Sequence, residues 1–360
     1  MTYNISLPRI KWTIVFLFAI TVVLLAAGRL LAADDTWAAP RAKARGKIVI
    51  RTAMVVDNDE KPTAAGKAAA AALKRAMGQT QPKVVIVSEC FEDKEYKQKV
   101  LEGIYSVLPE EIIVGAASYG SYTQQGCSDF DTVSLLGIGG DGISVSASLV
   151  TEMGVSKLLL QDNQELIEKR LRLAGAKLAG KLRKTVKDRL LILLPDAHSP
   201  KNQFLVEGVQ MAVGKTFPIT GGSANKNAGQ TFVYYRGKMY NDSAVALMLS
   251  GDLKVALAGR QAKDNDAVIS TARSGAAEVV AKLKGAKPLA MLAFDCAGRR
   301  SKLKNLDDEL HAIQKVIGKD LPLFGSYCAG EIGPLDVSEK DPNVLSGGGG
   351  WHVMLTLIAE

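Results

Sequence analysis

Leu321-Pro-Leu-Phe-Gly-Ser-Tyr-Cys-Ala-Gly-Glu-Ile-Gly-Pro334 opens as a short apolar strand and breaks into a loop holding three glycines, a cysteine and one carboxylate. Glycine lets a backbone turn sharply or come close to a ligand. The same design occurs at Ile112-Ile-Val-Gly-Ala-Ala-Ser-Tyr-Gly-Ser121 and at Phe217-Pro-Ile-Thr-Gly-Gly-Ser-Ala-Asn225. Gly115, Gly221 and Gly325 fall at nearly equal intervals, too long for a solenoid repeat and suited to domain-sized modules.

Upstream of each loop the pattern is strand, helix, strand. In the first unit residues 83–88 and 111–115 are apolar strand runs, and Tyr96, Val100, Ile104 and Val107 give 93–108 a helical spacing. The second unit has strands at 189–196 and 218–221 around a helix at 203–213. The third has strands at 288–296 and 321–325 around a helix at 306–317. A strand, a helix and a strand at these lengths make a right-handed parallel crossover. Alanine-rich 62–77 reads as a further helix, 47–57 as an opening strand and 351–358 as a closing buried strand.

Added antiparallel hairpins are expected at 131–150, with Gly139-Gly-Asp-Gly142 as the turn, and at 231–240, with Arg236-Gly237 as the turn. Residues 244–250 and 253–258 complete an antiparallel group. A long basic amphipathic helix over 162–187 (Leu166, Ile167, Leu171, Leu173, Leu178, Leu182) joins the halves. The expected fold is α/β, with α+β mixed sheets, internally duplicated and packed as two domains. The segments are 1–33 as a signal peptide or anchor, 34–46 as a linker, 47–187 and 188–262 as the first two units, and 263–360 as the third.

Apolar content of 47% and charge of 23% suit a folded chain of 360 residues. The formal charge is +8, but the lysines are spread over several helices and aromatics are only 6%, so no basic stripe with stacking rings exists and nucleic acid is excluded as a partner. Arg9 and Lys11 precede an apolar run over 12–27, followed by small residues up to Ala32 and Ala33. That is the layout of an export signal, shorter than the ~20 residues that span a bilayer comfortably. The folded part is therefore expected to be periplasmic or secreted, touching a membrane only through residues 12–27 if they are not removed.

Parallel-sheet ligands bind outside the carboxyl ends of the strands. Two sets of loops gather there: Glu89-Cys90, Pro195-Asp-Ala-His198 and Asp295-Cys-Ala-Gly-Arg-Arg300, and the three glycine loops. The candidate ligand contacts are Ser118, Tyr119, Asp196, His198, Gly221, Gly222, Ser223, Asn225, Cys296, Arg299, Tyr327, Cys328 and Glu331. Arg299 would clamp a carboxylate and Glu331 would meet an amine. In an exported chain Cys90 with Cys127 and Cys296 with Cys328 are candidate disulfides; as free thiols, Cys328 or Cys296 becomes a candidate nucleophile. No histidine stands at a motif spacing from either, and His198, His311 and His352 lie in separate segments without zinc spacing. Gly175-Ala-Lys-Leu-Ala-Gly-Lys181 lacks the Ser/Thr of a phosphate loop and sits inside a helix. No catalytic constellation, metal or cofactor is read from the sequence.

At these residues the chain resembles the FIST family. The family's Cys-x-Gly-Arg after a strand, and its Pro-x-x-Gly-Phe-x-x-x-Gly-Glu-Ile after a helix, find Phe294-Asp-Cys-Ala-Gly-Arg-Arg300 and Pro322-Leu-Phe-Gly-Ser-Tyr-Cys-Ala-Gly-Glu-Ile-Gly-Pro334. The middle of the chain (190–252) is similar to the family's Pro-Asp strand end and Gly-Gly loop. Ser121 stands where the family's first loop has a glutamate. The resemblance covers about 47–360. It implies a sensory, small-ligand-binding module of signal transduction, with an amino acid or small carboxylate as ligand and a separate signalling partner, and no enzyme activity. The alternatives are a cysteine-dependent hydrolase or transferase, and a partner-binding protein whose pocket is vestigial and filled by its own side chains.

Overall fold

The computed structural model describes residues 46–225, 231–336 and 341–360. The export segment and nearly all of the linker lie outside them. The strands, numbered in chain order, form three six-stranded sheets. In the first, β1 (Val49–Val56), β6 (Thr132–Gly139), β2 (Pro82–Glu89) and β3 (Ile113–Ala117) are joined by β10 (Val233–Tyr235) and β11 (Lys238–Tyr240). The second runs β7 (Ile143–Val150), β12 (Ala244–Gly251), β8 (Asp188–Pro195), β9 (Ile219–Gly222), β16 (Glu331–Gly333), β17 (Gly347–Gly349). In the third the order is β13 (Lys254–Gln261), β18 (His352–Ala359), β14 (Pro288–Cys296), β15 (Leu323–Cys328), β4 (Ser121–Thr123), β5 (Gly126–Ser128). Each sheet has one parallel pair, β2 with β3, β8 with β9 and β14 with β15, as the three crossovers require.

Helices α1 (Pro62–Met77) and α2 (Lys94–Tyr105) cover the first sheet, α3 (Leu160–Gly180) and α4 (Asn202–Val213) the second. The third is covered by α5 (Asn265–Lys282) and α7 (Asp307–Ile317), with the single turn α6 (Ala297–Arg300) at its strand end. The inner faces of all three sheets meet in one central core. In β8, Leu190, Ile192 and Leu194 face that centre while Leu191 and Leu193 face α3 and α4. A sheet covered on both faces needs an unbroken apolar run of this kind.

One expected hairpin, 131–150, and the expected antiparallel group of 244–250 and 253–258 are crossings between sheets. β6 pairs with β1 and β2, whereas β7 pairs with β12, so Gly139 to Gly142 carries the chain from the first sheet to the second. The same step joins β12 to β13. Strand periodicity fixes which face is buried and does not choose the partner, so a hairpin and a crossing read alike. The 231–240 hairpin does form, but on the edge of the first sheet. The long helix ends at Gly180, and its buried side is Ile167, Leu171 and Leu178; Leu166 and Leu173 point to solvent.

The three contributed hairpins cross the three loop glycines in the same register: Tyr234 opposite Gly115, Tyr122 opposite Gly325, Ile332 opposite Gly221. At Gly325 an added Cβ would stand 2.3 Å from the Tyr122 ring, so the glycine is there to admit that ring. The Tyr234 hydroxyl donates to Glu89, whose carboxylate also takes Lys97 Nζ at 3.2 Å. The Tyr122 hydroxyl donates to Asp295 Oδ2 at 3.3 Å, and Asp295 is bridged by Arg299, which also holds Glu309. All of these side chains are buried. The middle sheet has Pro195 at the end of β8 and Ile332 on the contributed strand, an apolar pair in place of acid and tyrosine.

Candidate functional site

The three glycine loops meet, and backbone hydrogen bonds lock them together. Tyr119 N–H donates to the Tyr327 carbonyl (2.9 Å) and Tyr327 N–H to that of Gly120 (3.0 Å). Ser223 N–H donates to Gly330 (2.8 Å), Ala329 N–H to Ser223 (3.1 Å) and Asn225 N–H to Ala117 (3.0 Å). Ser118 is buried against the Glu89 carbonyl. The hollow they enclose is lined by Ser88, Gly222, Ser223, Ser326 and Cys328, and its volume is about 10 Å³. That is the space of a single water molecule, so the ground expected to hold a solute is filled by the chain itself.

The remaining candidates divide between the second and third strand ends. Arg299 is fully buried and its donors go to Asp295, Glu309, Thr271 and two backbone carbonyls, so the guanidinium clamps carboxylates of its own chain. Burial, then Glu309, pushes Asp295 well above the usual carboxylate range, which relieves two acids on one arginine. Glu331 is fully buried, and burial pushes its carboxyl up to about 8 although the His352 N–H donates to it at 3.0 Å.

No disulfide joins the cysteines. Cys90 Sγ faces the Asp129 carbonyl and Cys127 Sγ the Tyr327 hydroxyl; Cys296 Sγ receives the N–H groups of Gly298 and Trp351, and Cys328 Sγ turns to the Ser326 carbonyl. Burial pushes the Cys296 thiol up to about 12 and Cys328 well above its usual value, away from the thiolate a nucleophile needs.

Asp196 and His198 line an open cleft of about 480 Å³, together with Lys94, Lys201, Thr231 and Asn241. Val155 and Ser156 line it too, and Asp242 holds them there. Its N–H donates to Asp196 Oδ2 (2.6 Å), and its carboxylate accepts the N–H groups of Gly154, Val155 and Ser156. Burial raises Asp196 to about 6 against hydrogen bonds from Thr231 and Asp242, and burial lowers Lys201. Lys201 Nζ donates to the carbonyls of Val155 and Leu158, which anchors it beside the cleft. The Asp93 carboxylate caps α2 through Tyr96 N–H and sets Lys94 at the rim.

Lys94, Lys201, Thr231 and Asn241 were not among the sequence candidates. Lys94 and Lys201 share one legible signal, each opening the helix that follows a first parallel strand. Thr231 and Asn241 bracket the contributed hairpin, whose destination the sequence does not specify.

This is a three-sheet α/β protein with a sealed centre and a polar cleft at one strand end. Residues 83–275 match the FIST N domain and 239–334 the FIST C domain; the first match alone spans more than half the chain, and the protein belongs to the FIST family. FIST domains are small-ligand-binding domains of signal transduction.

No curated protein matches the sequence. Among solved structures, cyanuric acid hydrolase from A. caulinodans is similar at a TM-score of 0.43 and 9% identity, over 87% of this chain and 99% of that one. PurLQS from Thermotoga maritima gives 0.29 at 8% identity, over 88% of this chain and 73% of that one. Thiamine monophosphate kinase from Aquifex aeolicus gives 0.21 at 14%, over 57% and 86%. These likenesses are too distant to bear on activity.

Proposed function

We propose that this is a non-catalytic, extracytoplasmic sensory protein that takes an amino acid or small carboxylate in the cleft around Asp196 and His198. The carrying observation is the convergence of Lys94, Lys201, Asp196 and His198 on one solvent-open hollow of about 480 Å³, a volume suited to a small metabolite. The lysines would meet a carboxylate, and Asp196, ionised above about pH 6, an amine or hydroxyl. The filled centre favours the partner-binding alternative for the glycine loops, and the open cleft favours a ligand.

A thermal-shift screen with amino acids and small carboxylates separates these two. Stabilisation by a member of the class, lost in Asp196→Ala and in Lys94→Ala, supports the cleft. No stabilisation by any compound, or stabilisation unchanged in both variants, overturns it. Thiol labelling of the native protein at neutral pH tests the enzyme alternative: Cys296 and Cys328 are expected to resist, and rapid labelling of either would revive a nucleophile. Export rests on the charged start and apolar run of residues 9–27. Recovery of the protein outside the cytoplasm would support it, and retention inside would refute it. A ligand state read this way would pass to a separate signalling partner.

A further inference from the structure

Helices α5 and α7 leave a groove between them on the outside of the third sheet. β13 and β14 both run antiparallel to β18, so the helices that return from their ends run side by side in one direction. Ala272, Ala276 and Val279 on α5 pack inward with Leu310 and Ile313 on α7. The facing flanks recur at helical spacing: Asp266, Ile269, Arg273 and Ala277 from α5, and Ala312 and Lys315 from α7. They line a hollow of about 470 Å³. A second hollow of about 550 Å³ shares Ile269 and Lys315 with it and extends past His311 to Lys319. With two lining residues in common, the hollows make one elongated groove.

Its charges are not equally committed. The acids stand at the helix starts and have partners: Asp266 accepts from Asn265 Nδ2 at 2.7 Å and Asp308 from Asn305 Nδ2 at 3.2 Å. Arg273, Lys315 and Lys319 make no hydrogen bond or ion pair among the described residues. The helix dipole accounts for cations at a helix end, and so for Lys315 and Lys319. Arg273 stands in the middle of α5, where the dipole calls for no charge, and it lines the same hollow as Lys315.

We propose that this groove binds a single-chain anionic amphiphile, an aliphatic chain ending in a carboxylate. The carboxylate lies between Arg273 and Lys315, and the chain runs along Ile269, Ala277 and Ala312. Long cationic side chains offer such a ligand their methylene stems as walls and their charged ends as anchors. A compact solute would leave most of an elongated channel unfilled, and an uncharged chain would leave both cations unmet. The site is separate from the cleft at Asp196, and neither reading depends on the other.

Calorimetric titration of the full-length protein with dodecanoate, kept below its micelle-forming concentration, tests this, with thermal melts to confirm that each variant is folded. One-to-one binding is expected, at least tenfold tighter than that of octanoate because the longer chain buries more methylenes. Dodecanol, which lacks the charge, should bind at least tenfold more weakly than dodecanoate. Ile269→Asp and Lys315→Glu should each weaken dodecanoate at least tenfold. No saturable binding, equal binding of dodecanol, or binding unchanged in both variants overturns the proposal; the last is the result if the chain settles on the N-terminal apolar run. Loss of binding in Lys94→Ala with retention in Lys315→Glu would place the carboxylate in the cleft and overturn it too.

Discussion

The strand ends of the first and third sheets are closed by buried charge, and that of the second is not. At Glu89 and Asp295 an acid holds the tyrosine of a strand contributed by another unit, and Lys97 or Arg299 from the following segment neutralises it. In the middle sheet the tyrosine is Ile332 and β8 ends in Pro195; the acid comes one residue later, as Asp196, and lines the cleft. Asp196 accepts from Thr231 and from the Asp242 N–H, which flank the contributed hairpin, but it does so at the wall of an open cleft and not inside a sealed ion pair. That difference is why we propose the ligand at the second strand end.

The sharpest way to break this contrast is to remove a cation from a closed corner. Lys97→Met strands Glu89, and Arg299→Met strands Asp295 and Glu309, in sites with no exposure. Each should cost about 3–5 kcal/mol, read by urea unfolding, because an uncompensated buried charge remains. A loss under about 1 kcal/mol for both would mean that the corners do not hold the hairpins.

The open corner has a pH signature of its own. Asp196 sits at about 6 in the folded chain and near 3.8 unfolded, so between these values the folded state binds the extra proton. Stability from this group is therefore fully present below about pH 4, falls as pH rises to about 6 and is flat above, a change on the order of 3 kcal/mol. Glu331, raised by burial from 4.5 to about 8, adds a slope of the same sign between those values, so the wild type must be compared with Asp196→Asn. The variant should lose less stability than the wild type between about pH 4 and 6 and be the more stable protein at pH 7. Parallel stability curves for the two would remove Asp196 from the account.

Much of this architecture was open to reading. The apolar runs around 83–88, 189–196 and 288–296 and the helical spacings after them gave the parallel pairs, and the glycine loops do converge. What stayed hidden depends on long-range partners. Nothing local to Gly325 announces the ring of Tyr122, nor does anything near Arg299 announce that Glu309 completes its site. The glycines therefore read as ligand approaches when they are strand crossings. Tyr122 and Tyr234 test that revision at a smaller scale. Phenylalanine at either position keeps the ring over its glycine and leaves Asp295 or Glu89 one donor short. About 1–2 kcal/mol should be lost in each, and no equivalent loss should follow Ile332→Val in the middle sheet beyond about 1 kcal/mol of packing.

The smallest expected effect is the most discriminating. Lys94 stands on the exposed first turn of α2, three residues before the buried Lys97, so the two differ in surroundings far more than in chemistry. Lys94→Met takes a cation from water and leaves no buried charge behind. Its stability should stay within about 0.5 kcal/mol of wild type, where Lys97→Met loses several. The same change removes one of the two ammonium groups facing the cleft, so affinity for an anionic ligand found in the screen should fall about tenfold or more, with a weaker dependence on salt. Two lysines on one helix would then have opposite profiles, one silent in folding and felt in binding, the other the reverse. If Lys94→Met binds as wild type does, the cleft's cations are bystanders and the open corner needs another explanation.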